Sequence, residues 1–345
     1  MRIAQVAPLF ISIPPKLSGG TERVVSYLTE ELVAQGHEVT LFASGDSKTR
    51  ARLVSVCPRE LWHSPNYIDP QPHFQRMMEL VFEDASRFDV IHFHTDSRHF
   101  PWLYKLSTPH VTTWHAPLCS WQKPFFDQYD VPLVSISDNQ RLPMLDADWQ
   151  ATIHHGLPRD LYTFRNEPGD YLAFIGRNIP EKRLDRAIRI ACRAKMKLKV
   201  ATQIHPEERY YKQGVEPLLN QARDLVEFIG EVGGREKDEF FGNARALLFP
   251  IDFAEAFGLV MIESLACGTP VIAWRNGSVP EVIDDGRTGF IVESMDQAVE
   301  AVARVSDLSR ATCRQVFEER FDATRMTREY VEVYQRLAST SGRPF

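Results

Sequence analysis

The sequence predicts an α/β fold in two domains, and three observations predict it. The chain has 345 residues, more than one ordinary core of about 150 residues requires and enough for two. Short apolar runs, RIAQVAPL at 2–9 and YLAFIG at 171–176 among them, alternate with helical patterns as in βαβ units. Between the two halves lies a polar passage from Thr163 to Asp170 that includes Pro168 and Gly169 and reads as a linker.

In the first half, residues 2–9 read as a buried strand. A proline-rich loop then leads through Gly19-Gly20-Thr21-Glu22 into a helix over 21–35, with Val24, Val25, Leu28, Leu32 and Val33 on one face and Gly36 closing it. Residues 37–42 form the second strand. Gly19 and Gly20 occupy the first strand-to-helix turn, where backbone N–H groups can approach an anion because no side chain intervenes; a flexible loop fits the same residues. The stretch 46–75 reads as irregular and polar, and 76–87 as a helix. The strand 89–94 places His92 and His94 on one face, which raises a metal pair. No third ligand falls at a suitable spacing, so no metal is expected there. The strand 109–116 ends with His115 at its C-terminal edge, where ligands of open α/β sheets bind. Residues 132–137 are a further strand, and a helix begins at Asp138.

The second half opens with the strand 171–176, followed by the loop GRNIPEKR. Arg177 and Lys182 on one loop can converge on a diphosphate, although cations near a helix start are also commonly solvated. Strands are read at 198–202, 270–274 and 288–292, a strand and turn at 226–232 and the end of a buried strand at 247–250, with helices at 236–243 and over 295–336. The stretch FPIDFAEAFGLVMIESLACG at 249–268 holds two carboxylates, Glu255 on a loop and Glu263 on a helix that Gly268 ends. The peptide N–H groups of Phe257, Gly258 and Leu259 lie at the start of that helix, where phosphate binds readily. Glu263 would hold a ribose and Glu255 a sugar, with a diphosphate between them over the amides. Such a ligand is a sugar nucleotide. Spacing alone also fits a solvated helix face.

Composition narrows the class. Hydrophobic residues make up 43% and aromatic residues 11%, with no repeat period or biased tract, as in a soluble globular protein. A net charge of −6 offers no broad basic surface for nucleic acid, which is not an expected partner. Five cysteines, far apart and without a C-x-x-C pair, fit a reducing cytoplasm rather than a disulfide scaffold. The N-terminus soon meets Pro14, Pro15 and Gly19, unlike a signal peptide or membrane helix, and no cationic amphipathic helix in the first half argues for membrane association.

The run from Glu255 through Gly268 and Pro270, with Pro280-Glu281-Val282 and Gly286-Arg287-Thr288-Gly289-Phe290, resembles the signature of glycosyltransferase family 4. The likeness covers nearly the whole chain and is strongest from 171 to 292. It implies the GT-B fold, two Rossmann-like domains facing across a cleft. An acceptor-binding domain is expected at 1–165 and a nucleotide-sugar-binding domain at 166–325. A C-terminal helix at 326–345 would cross back to the first domain through Val331, Val333, Tyr334 and Leu337.

The resemblance implies a retaining hexosyltransferase that needs no metal or other cofactor; no D-x-D carboxylate pair is placed to hold a metal. The donor is a nucleoside diphosphate sugar, a UDP-sugar or GDP-sugar, and the acceptor a sugar or small molecule. It carries roles onto particular residues: His115 for the donor sugar at the reaction centre, Glu255 for sugar hydroxyls, and Arg177 and Lys182 for the leaving diphosphate. Gly19 and Gly20 would face the donor phosphate and acceptor, while Glu231 and Val232 would read the base through the backbone. Two departures stand out, since Arg183 follows the lysine where the family commonly has glycine, and Thr202-Gln203 occupy another frequent glycine position. A phosphorylase of the same fold, a nucleotide-sugar epimerase and a non-catalytic sugar-nucleotide sensor remain alternatives. The sensor fits poorly with His115, Arg177, Lys182 and Glu255 all present.

Overall fold

The structure is a computed structural model and describes residues 1–62, 69–222 and 224–340. The chain divides into two units, Met1–Pro158 with the C-terminal segment from Ala323, and Arg159–Asp322.

The first unit is built on a seven-stranded sheet. Its strands are β1 (Arg2–Val6), β2 (Glu38–Ser44), β3 (Arg52–Cys57), β4 (Val90–Phe93), β5 (His110–Thr113), β6 (Leu133–Ser135) and β7 (Trp149–Thr152), in the order β3-β2-β1-β4-β5-β6-β7. Every pairing is parallel, so the C-terminal ends of all the strands gather on one edge. The central strands are buried and mostly apolar, as a sheet covered on both faces requires: Ile3, Ala4 and Val6 of β1 and Leu41, Phe42 and Ala43 of β2 are fully buried, with Gln5 and His92 as buried polar exceptions.

Strand β3 corrects the reading of 46–75 as irregular. Its mixture of Leu53, Val54 and Val56 with Arg52 and Ser55 is that of an edge strand, half exposed, and half exposure is why it looked like loop. Strand β7 was also missed, for the same reason: all four of its residues are only partly buried. The helix expected at 76–87 begins earlier, at Gln71, because Pro72 stands at its start and Phe74, Met77, Met78 and Val81 form the buried stripe.

The second unit carries a six-stranded parallel sheet made of β8 (Tyr171–Ile175), β9 (Lys197–Ala201), β10 (Val226–Phe228), β11 (Ala244–Phe249), β12 (Val271–Trp274) and β13 (Gly289–Val292). Their order is β10-β9-β8-β11-β12-β13. Strand β10 opens the strand and turn expected at 226–232, and Gly230 at φ 75° makes the turn. The C-terminal helical stretch is three helices, Met295–Arg304, Arg310–Arg320 and Ala323–Thr340; the hydroxyls of Ser294 and Ser309 accept N–H bonds that cap the first two. The last belongs to the first unit, where it packs on the helix Gly20–Ala34, β4 and β5. Met326, Tyr330, Val333 and Tyr334 are its buried face, while Val331 and Leu337 are only partly covered. No helix among the described residues is long and apolar enough to cross a membrane.

Candidate active site

In the second unit the chain leaves β11 at Phe249, runs through a loop, and enters the helix Leu259–Ala266 at Gly258, whose φ of 80° sets the entry. Two flanking segments hold this loop. The N–H of Asp252 donates to the carbonyl of Glu181 at 2.9 Å. On the other side the Asn276 amide donates to the Ile251 carbonyl at 3.0 Å, and the Ser278 N–H and hydroxyl donate to the carbonyls of Glu255 at 3.1 Å and Phe257 at 2.8 Å. Gly277 between them has φ 54°, and a Cβ there would lie 2.3 Å from the Glu255 carbonyl oxygen and 2.4 Å from its nitrogen. The backbone of Glu255 therefore rests on a residue that must be glycine. Sequence reading missed Asn276, Gly277 and Ser278, although an Asn-Gly pair after a strand marks a tight turn.

Lys182 and Glu255, both sequence-predicted, come together as an ion pair from Nζ to Oε2 with side chains only 17% and 16% exposed. The ammonium also lies 4.8 Å from the centroid of Phe253. Arg177 stands exposed on the same loop. Arg183 is held in the left-handed region at φ 57° and ψ 48°, which accounts for the glycine that the family commonly places there. Its guanidinium pairs with Asp185 at 2.9 Å and Asp252 at 2.7 Å, bonds that glycine cannot make. Neither acid was singled out from the sequence.

Glu263 lies in the interior, fully buried, with Oε1 accepting from Lys237 Nζ at 2.6 Å and from the Tyr162 hydroxyl at 3.0 Å. Its Oε2 is buried with no partner among the described residues. Spacing gave no hint of Lys237, because the two meet only when the helices Gly234–Gly242 and Leu259–Ala266 pack together. Phe257 turns its ring into the core 6.2 Å from Phe321, so only its backbone remains for a ligand. Leu259 and Val232 are half-buried and Glu231 is exposed, the last two on the segment between β10 and the next helix.

In the first unit Gly19 precedes the helix Gly20–Ala34 at φ 139°, and a Cβ on it would meet Pro15 at 2.9 Å and the Glu22 carboxylate at 3.1 Å. Glu22 is buried, and burial raises its pKa above the usual carboxylate value. His115 follows β5, its Nε2 2.9 Å from His94 Nδ1 and its ring stacked on His155 at 5.4 Å. Burial holds its pKa below the ordinary histidine value. His92 and His94, read as neighbours on one face, lie with ring centroids 3.9 Å apart. Each is hydrogen-bonded to side chains: His92 to Tyr334 and Thr113, His94 to Gln5 and His115. Among the described residues no group of three or more His, Cys, Asp or Glu side chains is arranged to hold a metal ion.

Comparison with known proteins bears on this geometry. Residues 163–320 match the family described as "Glycosyl transferases group 1", and residues 18–138 match "Glycosyltransferase Family 4". A D-inositol 3-phosphate glycosyltransferase of Streptomyces scabiei is 45% identical over 82 residues, which is 24% of this chain and 18% of that protein. The match thus spans about a fifth of that relative's length. A phosphatidyl-myo-inositol mannosyltransferase of Mycobacterium leprae is 25% identical over 99% of this chain and 98% of its own length. The crystal structure of Anabaena Alr3699/HepE in complex with UDP and glucose superposes with a TM-score of 0.74 at 14% identity, covering 96% of this chain and 99% of that one. That likeness establishes the fold. With two parallel-sheet Rossmann-like units of the GT-B fold and both family matches, the chain belongs to the family-4 type of glycosyltransferases.

Proposed function

We propose that the protein is a retaining hexosyltransferase, moving a hexosyl group from a nucleoside diphosphate sugar to a hydroxyl of a sugar or small-molecule acceptor without metal or other cofactor. The observation that carries this reading is the Lys182–Glu255 ion pair beside the start of the helix Leu259–Ala266. It puts a cation for phosphate and an anion for sugar hydroxyls at one point, next to peptide N–H groups at a helix start. In the reaction the bond from the anomeric carbon to the diphosphate breaks and a bond to the acceptor oxygen forms on the same face. The acceptor proton passes to the departing diphosphate oxygen. Lys182, Arg177 and the amides of Phe257, Gly258 and Leu259 stabilise the charge that develops there.

Glu255 then holds sugar hydroxyls, and for His115 the role is likewise a contact with a sugar hydroxyl. Gly19 and Gly20 leave room for phosphate and acceptor, Glu231 and Val232 offer backbone groups to the base, and the unpartnered Oε2 of Glu263 supports a ribose contact. UDP in the Anabaena structure favours a uridine nucleotide as the first donor to try, with GDP-sugars next. Five free thiols suit a reducing cytoplasm.

The test is direct. Melting temperature is measured with UDP, GDP, ADP, TDP and inorganic phosphate in turn, since a ligand of the native state raises it by mass action. The matching sugar nucleotide is then offered with acceptors, with and without EDTA, and the anomeric configuration of the product is read by proton NMR. Turnover with retention and no loss in EDTA is the expected result. An inverted product, or no response to any nucleotide, overturns the reading, and a response to phosphate alone replaces it with a phosphorylase.

A further inference from the structure

Inside the first unit a chain of side-chain hydrogen bonds runs from the helix Ala323–Thr340 to His115. Gln5 of β1 sits at its middle, fully buried and paired in register with His92 of β4. Its amide nitrogen lies 3.2 Å from the Tyr334 hydroxyl, and its Oε1 lies 2.8 Å from His94 Nε2. On the near side, His94 Nδ1 is 2.9 Å from His115 Nε2. On the far side, the Tyr334 hydroxyl is 2.7 Å from His92 Nδ1, His92 Nε2 is 2.7 Å from Thr113 Oγ1, and Thr113 is 2.9 Å from the Tyr330 hydroxyl.

The placement of the Gln5 amide gives the chain a direction. Gln5 turns its amide nitrogen, a donor, to the Tyr334 hydroxyl, which leaves that hydroxyl's own proton for His92 Nδ1. Gln5 therefore presents its carbonyl oxygen to His94. An oxygen only accepts, so the neutral His94 carries its proton on Nε2 and keeps a bare Nδ1. The contact from His94 to His115 then requires His115 to donate from Nε2, which leaves His115 Nδ1 unprotonated. The surroundings of that atom agree, because Nδ1 of His115 is buried with no partner among the described residues. The opposite direction would strand an N–H donor there instead of an acceptor.

We propose that Gln5 is a positioning residue that, acting through His94, fixes His115 as the Nε2–H tautomer, so that Nδ1 stands ready to accept a hydrogen bond from a hydroxyl of the transferred sugar. The clause about the sugar rests on the function proposed above; the tautomer does not. A buried acceptor without a protein partner is where a ligand supplies the missing hydrogen. An Nδ1–H histidine in the same place would instead offer a donor and meet the sugar through oxygen lone pairs.

The experiment reads the tautomer itself. Protein with 15N-labelled histidine is recorded by long-range proton–nitrogen correlation, and His115 is assigned by its loss in His115→Asn. The expected pattern has a protonated Nε2 and a pyridine-like Nδ1. Gln5→Glu keeps an acceptor facing His94 and preserves the pattern. Gln5→Leu, and Tyr334→Phe as a near-isosteric variant that keeps the core filled, release the direction and give a mixture of tautomers. A wild-type His115 protonated on Nδ1 overturns the proposal, as does a His115 signal unmoved in both Gln5→Leu and Tyr334→Phe. With an active donor, Tyr334→Phe lowers kcat by about tenfold or more while KM for the acceptor changes little; an unchanged kcat removes the sugar contact. If the tautomer is found and no sugar nucleotide supports turnover, the transferase reading fails and the Gln5 assignment stands.

Discussion

Lys182 and Glu255, placed 73 residues apart in the sequence, form one ion pair whose two side chains are each largely covered. Each has a separate ligand in the proposed reaction, so the pair holds both groups in place before the donor arrives. Breaking it from one side leaves a poorly solvated charge. Lys182→Ala and Glu255→Ala are each expected to lower kcat by about 100-fold or more while the protein remains folded. In a double-mutant cycle on urea midpoints the pair should show a coupling of about 1–3 kcal/mol. Additive stability effects would mean that the two side chains act independently.

Arg183 offers a test of backbone against side chain. Glycine there removes roughly 1–2 kcal/mol of left-handed strain and also the bonds to Asp185 and Asp252, so Arg183→Gly should change stability by no more than about 1 kcal/mol. Arg183→Ala keeps the strain and loses the same bonds. It should be less stable than Arg183→Gly by about 1 kcal/mol, read from denaturation midpoints at matched slope.

Gly277→Ala is expected to displace Glu255, since its Cβ would stand 2.3 Å from that residue's carbonyl oxygen. Activity should fall at least as far as in Glu255→Gln, although residue 277 offers a ligand no side chain. Wild-type kinetics in Gly277→Ala would show that the loop relaxes freely.

The buried pair of Glu263 and Lys237 should resist single substitution. Lys237→Met or Glu263→Leu alone strands a charge and is expected to cost about 3–5 kcal/mol, whereas the double variant should recover much of that loss. Chemical denaturation of the three variants checks it. A double variant as unstable as the sum of the singles would contradict the pairing.

Stability should depend on pH through the buried histidines. Burial holds His92, His94 and His99 well below the ordinary value near 6.5, so the folded protein keeps them neutral. The unfolded chain protonates them below that pH and binds more protons than the native state. Their stabilisation is complete above about pH 6.5 and is lost as pH falls, by about 1.4 kcal/mol per pH unit for each histidine. The raised carboxyls of Glu22 and Asp96 act in the opposite sense, at lower pH. Urea midpoints between pH 7.5 and 5.5 should fall steeply, and a flat profile would mean that these histidines are charged in the native protein.

Strands β1, β2, β8, β11 and β12 were legible in the sequence because buried parallel strands are continuous apolar runs, and such runs identify themselves locally. The helix Leu259–Ala266 and the loop bearing Glu255 were legible for a similar reason, from apolar spacing and the glycines at either end. Edge strands β3 and β7 were not, since half exposure gives them mixed residues.

By itself the sequence determined where the backbone must turn, which segments are apolar enough to be buried, and which residue types stand at the strand ends. It could not determine which side chains meet. Glu255 with Lys182, Glu263 with Lys237, Gly277 beneath Glu255 and Gln5 behind His94 were decided by the tertiary structure alone. A hydrogen bond or ion pair is set within about an ångström by the packing of separate elements, and local patterns of hydrophobicity carry no record of that register.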